Sequence, residues 1–311
     1  MKSKQIIDAV IQNVEKVILG KTTVVKQCIA CWLAGGHVLL EDVPGTGKTM
    51  LARALAKSVE TQAKRVQFTP DLLPSDITGS SIYDKNSGKF NFIKGPVFTQ
   101  VLLADEINRA TPRTQSALLQ AMAERQCTAE NQTFDLPSLF FVIATQNPVE
   151  QSGTFPLPEA QLDRFMMRIT LGYPSFGVEK KIIQSQLNRH PIEALSSVCS
   201  ESDWGALRDL LPKVQVADNV IEYALRIVAK SRQHSNLELG GSTRAAISLI
   251  RCGQAYALIE GNSFVKPDYI KAIIPAVLEH RIVLTTKARL ERITPQSVVS
   301  DIMHQVQVPL N

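Results

Sequence analysis

Short apolar runs alternate with helical patterns through the first 175 residues: His37 to Glu41, Arg65 to Thr69, Val101 to Asp105, Phe140 to Thr145 and Met167 to Leu171. Runs of this length with helices between them predict parallel strands covered on both faces. Beyond the break at Gly172 to Ser175 the strand signal fades. Helical patterns follow over 177–189, 202–211, 217–234, 242–260 and 267–281, punctuated by Pro212, Gly240-Gly241 and Pro267. The chain therefore reads as an α/β domain over residues 1–175 followed by a helical domain over 176–311.

Composition agrees with a folded, soluble protein. Of 311 residues, 44% are apolar and 20% charged, far from the profile of a disordered chain. No stretch reaches the roughly 18 apolar residues of a membrane span, and Asp8 interrupts the place where a signal peptide needs an apolar run. The five cysteines are scattered, as in a protein of the reducing cytosol. The formal charge of +5 is a small bias, and the basic clusters are only pairs such as Lys64-Arg65 and Lys180-Lys181. Charge alone does not nominate nucleic acid.

Chemistry enters at residues 41–49, directly after the first apolar run. Glycines there allow successive backbone N–H groups to turn inward around a phosphate, and the helix that follows adds its positive N-terminal end. Asp42, Val43, Pro44, Gly45, Thr46 and Gly47, with Lys48, Thr49 and Met50 at the helix start, form the expected nucleotide-binding set. Lys48 would reach the β and γ phosphates, and the Thr49 hydroxyl would ligate Mg²⁺. The general pattern G-x-x-x-x-G-K-[ST] has Gly where this chain has Asp42. A purely structural glycine turn is the alternative, but such a turn has no use for Lys-Thr at the helix start.

Val101 to Asp105 is an apolar strand ending in two acids. Asp105 is suited to hold Mg²⁺, directly or through water, and Glu106 to orient and polarise an attacking water. A third run, Phe140 to Thr145, leads to Asn147, which at the same sheet edge could fix that water or touch the γ phosphate. Ligands of open α/β sheets gather at the carboxyl ends of strands, so the three signals reinforce one another.

These motifs, with Leu162 to Phe165 and Ser242 to Arg244, resemble those of an AAA+ ATPase. More narrowly, the segments 68–79, 95–98, 104–110, 144–148 and 156–165 resemble the MoxR family, and the likeness covers nearly the whole chain. It implies a P-loop core with an all-α lid, ATP hydrolysis with Mg²⁺, and a homo-oligomeric ring, commonly a hexamer. Arg164 resembles the arginine finger that a neighbour directs at the γ phosphate, with Arg168 as second choice. Arg244 resembles the sensor 2 arginine of the lid, in cis or in trans. Val17 to Gly20, through Ile18 and Gly20, would line the adenine pocket. The family implies a cytoplasmic, chaperone-like role in maturing protein complexes, including insertion of a metal cofactor, often with a von Willebrand factor A domain partner. A nucleic-acid motor and a nucleotide-gated scaffold with little turnover are the rival readings.

Residues 80–93 alternate apolar and polar positions around Asn86-Ser-Gly88 and predict a hairpin like the helix 2 insert of MoxR relatives. Residues 127–134 predict a second, with Glu130-Asn131 at its centre. Tyr83, Phe90, Phe92, Lys85 and Lys89 on the first would grip a protein, stack bases, or pack on a neighbouring subunit; the pattern leaves all three open. Cys28-x-x-Cys31 has metal spacing but lies in an apolar helical pattern without a second pair, so it reads as core.

Overall fold

The computed structural model describes residues 2–43, 45–85, 88–129, 132–147, 153–187 and 190–309. Five parallel strands form the central sheet: β1 (Val38–Glu41), β2 (Ala63–Gln67), β5 (Val101–Asp105), β8 (Phe141–Gln146) and β9 (Met167–Ile169), in the order β2-β5-β8-β1-β9. Two antiparallel pairs are inserted, β3 (Gly79–Asp84) with β4 (Lys89–Lys94), and β6 (Gln126–Ala129) with β7 (Gln132–Asp135). All five predicted runs become sheet strands, the second beginning two residues earlier than its apolar run and the last ending at Ile169.

The apolar runs are continuous because alternate residues serve opposite layers. Val38, Leu40, Val101, Leu103, Phe141 and Ile143 pack into one core; Leu39, Leu102, Ala104, Val142 and Ala144 pack into the other. The first layer contains α1 (Lys2–Glu15), α2 (Thr22–Leu33) and α3 (Lys48–Ser58). Trp32 of α2 stacks on Phe141 with ring centroids 5.4 Å apart and donates its indole N–H to the Leu139 carbonyl at 2.9 Å. The second layer holds α4 (Pro74–Thr78) and α5 (Pro112–Glu124). Pro112 opens α5 at a position whose N–H needs no partner.

α6 (Glu159–Leu162) leads into β9, and after β9 the chain is mostly helical: α7 (Phe176–Gln186), α8 (Pro191–Ala194), α9 (Glu201–Asp209), α10 (Asp218–Arg232), α11 (Thr243–Glu260), α12 (Pro267–Leu278), α13 (Thr286–Leu290) and α14 (Pro295–Gln305). A short ribbon, β10 (Leu237–Leu239) with β11 (Val283–Leu284), interrupts them; two or three residues are too few to leave a period-2 signal. α12 ends at Leu278 and tightens into a 3₁₀ turn over Glu279–Arg281, where the sequence predicts continuous helix. There Arg281, 5% exposed, donates to Asp163 Oδ1 at 2.7 Å, to the Phe165 carbonyl at 2.7 Å and to the Val277 carbonyl. The helical region is thus fastened to the segment just before β9.

Among the described residues no helix is long and apolar enough to cross a membrane. All five cysteines are free and buried, and burial pushes the Cys28 thiol up to about 12, as expected of core packing.

Candidate nucleotide site

β1 lies between β8 and β9, yet the chain leaves it for β2 at the far edge before returning. That reversal opens a crevice at the carboxyl end of β1. Gly45 and Gly47 have φ of +85° and +94°, and a Cβ on either would meet nothing within 4 Å, so the requirement for glycine is conformational. The loop opens directly onto the amino end of α3, which Gly47 caps. Lys48 Nζ donates to the carbonyls of Asp42 at 2.8 Å and Val43 at 3.3 Å. Thr46 Oγ1 donates to that same Val43 carbonyl at 3.3 Å. Thr49 lines a groove of about 360 Å³ with Arg53, Arg65 and Leu103, and Met50 packs against the core. Pro44 lies outside the described residues.

Asp42 explains its own presence. Its Oδ1 accepts the Val43 N–H at 2.9 Å, and its Oδ2 accepts the Gly172 N–H at 2.7 Å. A glycine here could not tie the loop to the segment after β9. Lys21 holds the same segment through the carbonyls of Leu171 and, at 3.0 Å, Tyr173. Gly20, at φ +70°, faces Val178 of α7, while Ile18 is buried in the core. Residues 18–21 therefore lie against the strand-to-helix passage beside the loop.

Asp105 and Glu106 are held by residues the sequence did not single out. Thr145, wholly buried on β8, donates to Asp105 Oδ1 at 2.6 Å and accepts the Glu106 N–H at 2.8 Å. Arg65 on β2 pairs with Asp105 Oδ2 at 2.7 Å. Glu106 Oε2 accepts from Gln67 at 2.7 Å and from Arg109 at 2.9 Å. Glu106 itself has φ +56° and ψ +51°, a conformation uncommon for a residue with a side chain, and such outliers collect at functional sites. Asn147 follows β8 at the same edge and is half-buried; Pro148 lies outside the described residues.

A metal fits here only with help from its ligand. Both Asp105 oxygens already accept hydrogen bonds, and among the described residues no three His, Cys, Asp or Glu side chains gather to hold a metal. Mg²⁺ is bound through one or two protein groups, waters and phosphate oxygens, which matches Thr49 and Asp105 beside a phosphate loop.

Arg164 and Arg244 do not join this group. They share a second cavity, about 380 Å³, with Gly35, Gly36 and His37, which precede β1. At about 3.3 Å per residue, Gly36 and Asp42 are roughly 20 Å apart along the strand, beyond the reach of an arginine side chain. Arg244 Nη1 donates to Asp163 Oδ2 at 3.2 Å, while the exposed Arg164 guanidinium has no hydrogen bond or ion pair among the described residues. Arg168, the second choice for the finger, is instead a structural bridge, 3.0 Å from Glu41 and 3.6 Å from Glu279. Its place within β9 aims it at β1 and the 3₁₀ turn.

The hairpins correct one further expectation. Tyr83 and Phe90 are exposed with ring centroids 5.3 Å apart, but Phe92 is half-buried, stacked on Phe134 of the other hairpin at 4.4 Å. Phe92 joins the two hairpins rather than facing a partner. The turn residues Asn86, Ser87, Glu130 and Asn131 lie outside the described residues.

The family model of ATPases associated with various cellular activities matches residues 37–167, and the AAA lid domain model matches residues 229–302. The chain is 38% identical over 312 residues to the chaperone MoxR1 of Mycobacterium tuberculosis, covering 97% of this chain and 82% of that one. The chain belongs to the MoxR family of AAA+ ATPases. It is also similar to an uncharacterized protein of Bacillus subtilis, YeaC, with 47% identity over 96% of this chain and 94% of that one. A crystal structure of a candidate ATPase from Cytophaga hutchinsonii superimposes with a TM-score of 0.92 at 38% identity, covering 99% of this chain and 96% of that one. For a MoxR-family chain, the parallel core, the helical lid and nucleotide binding in general follow from membership.

Proposed function

We propose that this chain is a Mg²⁺-dependent ATPase that works as a ring, commonly of six copies, and spends hydrolysis on remodelling protein complexes. One observation carries the reading: Lys48, Asp105 and Glu106 gather at the carboxyl ends of the strands, while Arg164 and Arg244 lie at the amino ends. A single copy holds both halves of a site but cannot bring them together. A head-to-tail neighbour can, because a heterologous contact that repeats by rotation closes a ring. This arrangement favours Arg244 acting in trans, like Arg164.

Within one copy the roles follow from the contacts. Lys48 would exchange two loop carbonyls for phosphate oxygens. Thr49 and Asp105 would hold Mg²⁺ together with the phosphates, and the ion would neutralise charge on the phosphate oxygens as the bond from the γ phosphorus to its bridging oxygen breaks. Glu106, steadied by Gln67 and Arg109, orients the attacking water and takes its proton, with Asn147 fixing the other side. Arg164 of the neighbour would offset charge that grows on the γ phosphate.

The division into residues 1–175 and 176–311, with α7 opening the lid, belongs to this reading. So does the adenine contact by Ile18 and Gly20. The name of the M. tuberculosis relative supports a chaperone-like output, and a cytoplasmic location belongs to the same reading. A von Willebrand factor A domain partner, a client complex and insertion of a metal cofactor into that client are its extensions. The exposed Tyr83 and Phe90 are suited to grip such a client.

The test is ATP hydrolysis per subunit across a hundredfold range of protein concentration. Specific activity should climb with concentration, Lys48→Ala should abolish it, and Glu106→Gln should bind ATP while turning over at least about a hundredfold more slowly. Activity that is measurable but independent of concentration, in subunits shown to be monomeric, would overturn the ring. Steep loss of single-strand binding with salt, together with DNA-stimulated hydrolysis, would favour the nucleic-acid motor.

A further inference from the structure

The cavity that holds Arg164 and Arg244 contains more positive charge than those two residues supply. Five arginines line it, Arg125, Arg164, Arg244, Arg251 and Arg281, against one carboxylate, Asp163. That carboxylate is already engaged: Arg281 takes Oδ1 at 2.7 Å, and Arg244 takes Oδ2 at 3.2 Å. Arg125 donates to the Gly35 carbonyl at 2.7 Å, and Arg208 behind it donates to the Ser138 carbonyl. Like Arg164, Arg251 makes no side-chain hydrogen bond or ion pair among the described residues.

The charges are also crowded. Gly35, at φ +73°, leaves room where a Cβ would stand 2.7 Å from one guanidinium nitrogen of Arg125 and 2.9 Å from one of Arg208. Burial lowers the pKa of both arginines, and the positive charge of Arg251 adds to the effect; Arg208 is pushed down to about 10. Such a cluster is stable only if the fold holds it rigidly or an anion completes it. Arg244, Ile247 and Arg251 are spaced i, i+3 and i+7 on α11, so one helix face carries two arginines toward the same opening.

We infer that Arg251 is a third phosphate-directed arginine beside Arg164 and Arg244, reaching the polyphosphate of a nucleotide held by a second copy of the chain. The inference rests on the ring reading above and deepens it. Polyphosphate is the anion that ring reading brings to this face, since the neighbour's residues 42–49 would present it there. Positive walls of this kind raise the local concentration of an anion and its rate of encounter.

The experiment compares Arg251→Gln and Arg164→Gln in the full-length chain. Binding of a fluorescent ATP analogue to dilute subunits and the melting temperature should both match the parent for Arg251→Gln. Turnover at concentrations where the parent's specific activity has levelled off should fall at least about tenfold, as when one preorganised phosphate contact is removed. Full turnover in Arg251→Gln with a deep loss in Arg164→Gln overturns this inference and leaves the ring reading standing. Full turnover in both overturns the ring reading itself. Loss of ATP binding by dilute subunits would assign Arg251 to its own copy's nucleotide. A defect seen only with added single-stranded DNA would assign the cavity to nucleic-acid phosphates. Should Arg251→Gln melt early, Arg251→Lys decides: normal melting with depressed turnover supports the role, and normal turnover removes it.

Discussion

The hydroxyl of Thr145 lies 2.6 Å from Asp105 Oδ1 and 2.8 Å from the backbone nitrogen of Glu106, giving its proton to the first and receiving one from the second. One buried oxygen on β8 therefore sets both acids at the end of β5. Replacing it with an isosteric methyl leaves a buried donor and a buried acceptor without partners, at a cost of about 1–3 kcal/mol for such groups. Thr145→Val should fold with a lower Tm, bind ATP and turn over at least about tenfold more slowly, since the fault lies in positioning. Unimpaired steady-state hydrolysis in that variant would show that Asp105 and Glu106 need no anchor.

Asp42 makes an opposite kind of test, because the substitution restores the commoner motif. Asp42→Gly recreates the generic glycine but removes the acceptor for the Val43 and Gly172 N–H groups. The expected result is a loss of roughly 1–3 kcal/mol in urea unfolding and weaker ATP binding, because the loop comes free of the segment after β9. Tighter ATP binding with undiminished stability would mean the carboxylate has no structural part.

Acid should destabilise the fold through His37. Its Nδ1 accepts the Val142 N–H at 3.0 Å, so the ring proton sits on Nε2 and meets the Met122 carbonyl at 3.2 Å. Burial, with further repulsion from Arg125 and Arg208, drives its pKa down to about 3. A histidine in the unfolded chain titrates near 6.5, at the ordinary value. Between those limits the unfolded chain carries the extra proton, so stability is present above about pH 6.5 and is lost as pH falls toward 3. His280, also pushed well below the ordinary value by burial, adds to the same trend. The slope is about 1.4 kcal/mol per pH unit for each such proton. Urea midpoints of the parent and His37→Gln from pH 7.5 to 5 should converge as pH falls; parallel curves would remove His37 from the acid response.

Much of the candidate site was legible because its signals are local. Residues 41–49 announce a phosphate loop through consecutive positions, and Asp105-Glu106 and Asn147 announce themselves by ending apolar runs. Thr145, Arg65, Gln67 and Arg251 gave no such signal. Thr145, Arg65 and Gln67 act across strands on partners tens of residues away, Arg251 faces a cavity built from distant segments, and a lone Thr within an apolar run looks like any other. The role of Asp42 was hidden for the same reason, since its second partner, Gly172, comes 130 residues later.

The sequence alone determined the strand and helix periods, the phosphate loop, the acidic strand end and hence the family, because these depend on neighbours in the chain. Only the tertiary structure decided which end of the sheet each charged residue occupies. Parallel strands place everything that follows a strand at one edge and everything that precedes it at the other. That rule separates Lys48 and Glu106, which follow strands, from Arg164, which precedes β9; the packing of α11 then brings Arg244 and Arg251 to the same amino end, so that five arginines gather around one carboxylate that no spacing along the chain could have joined.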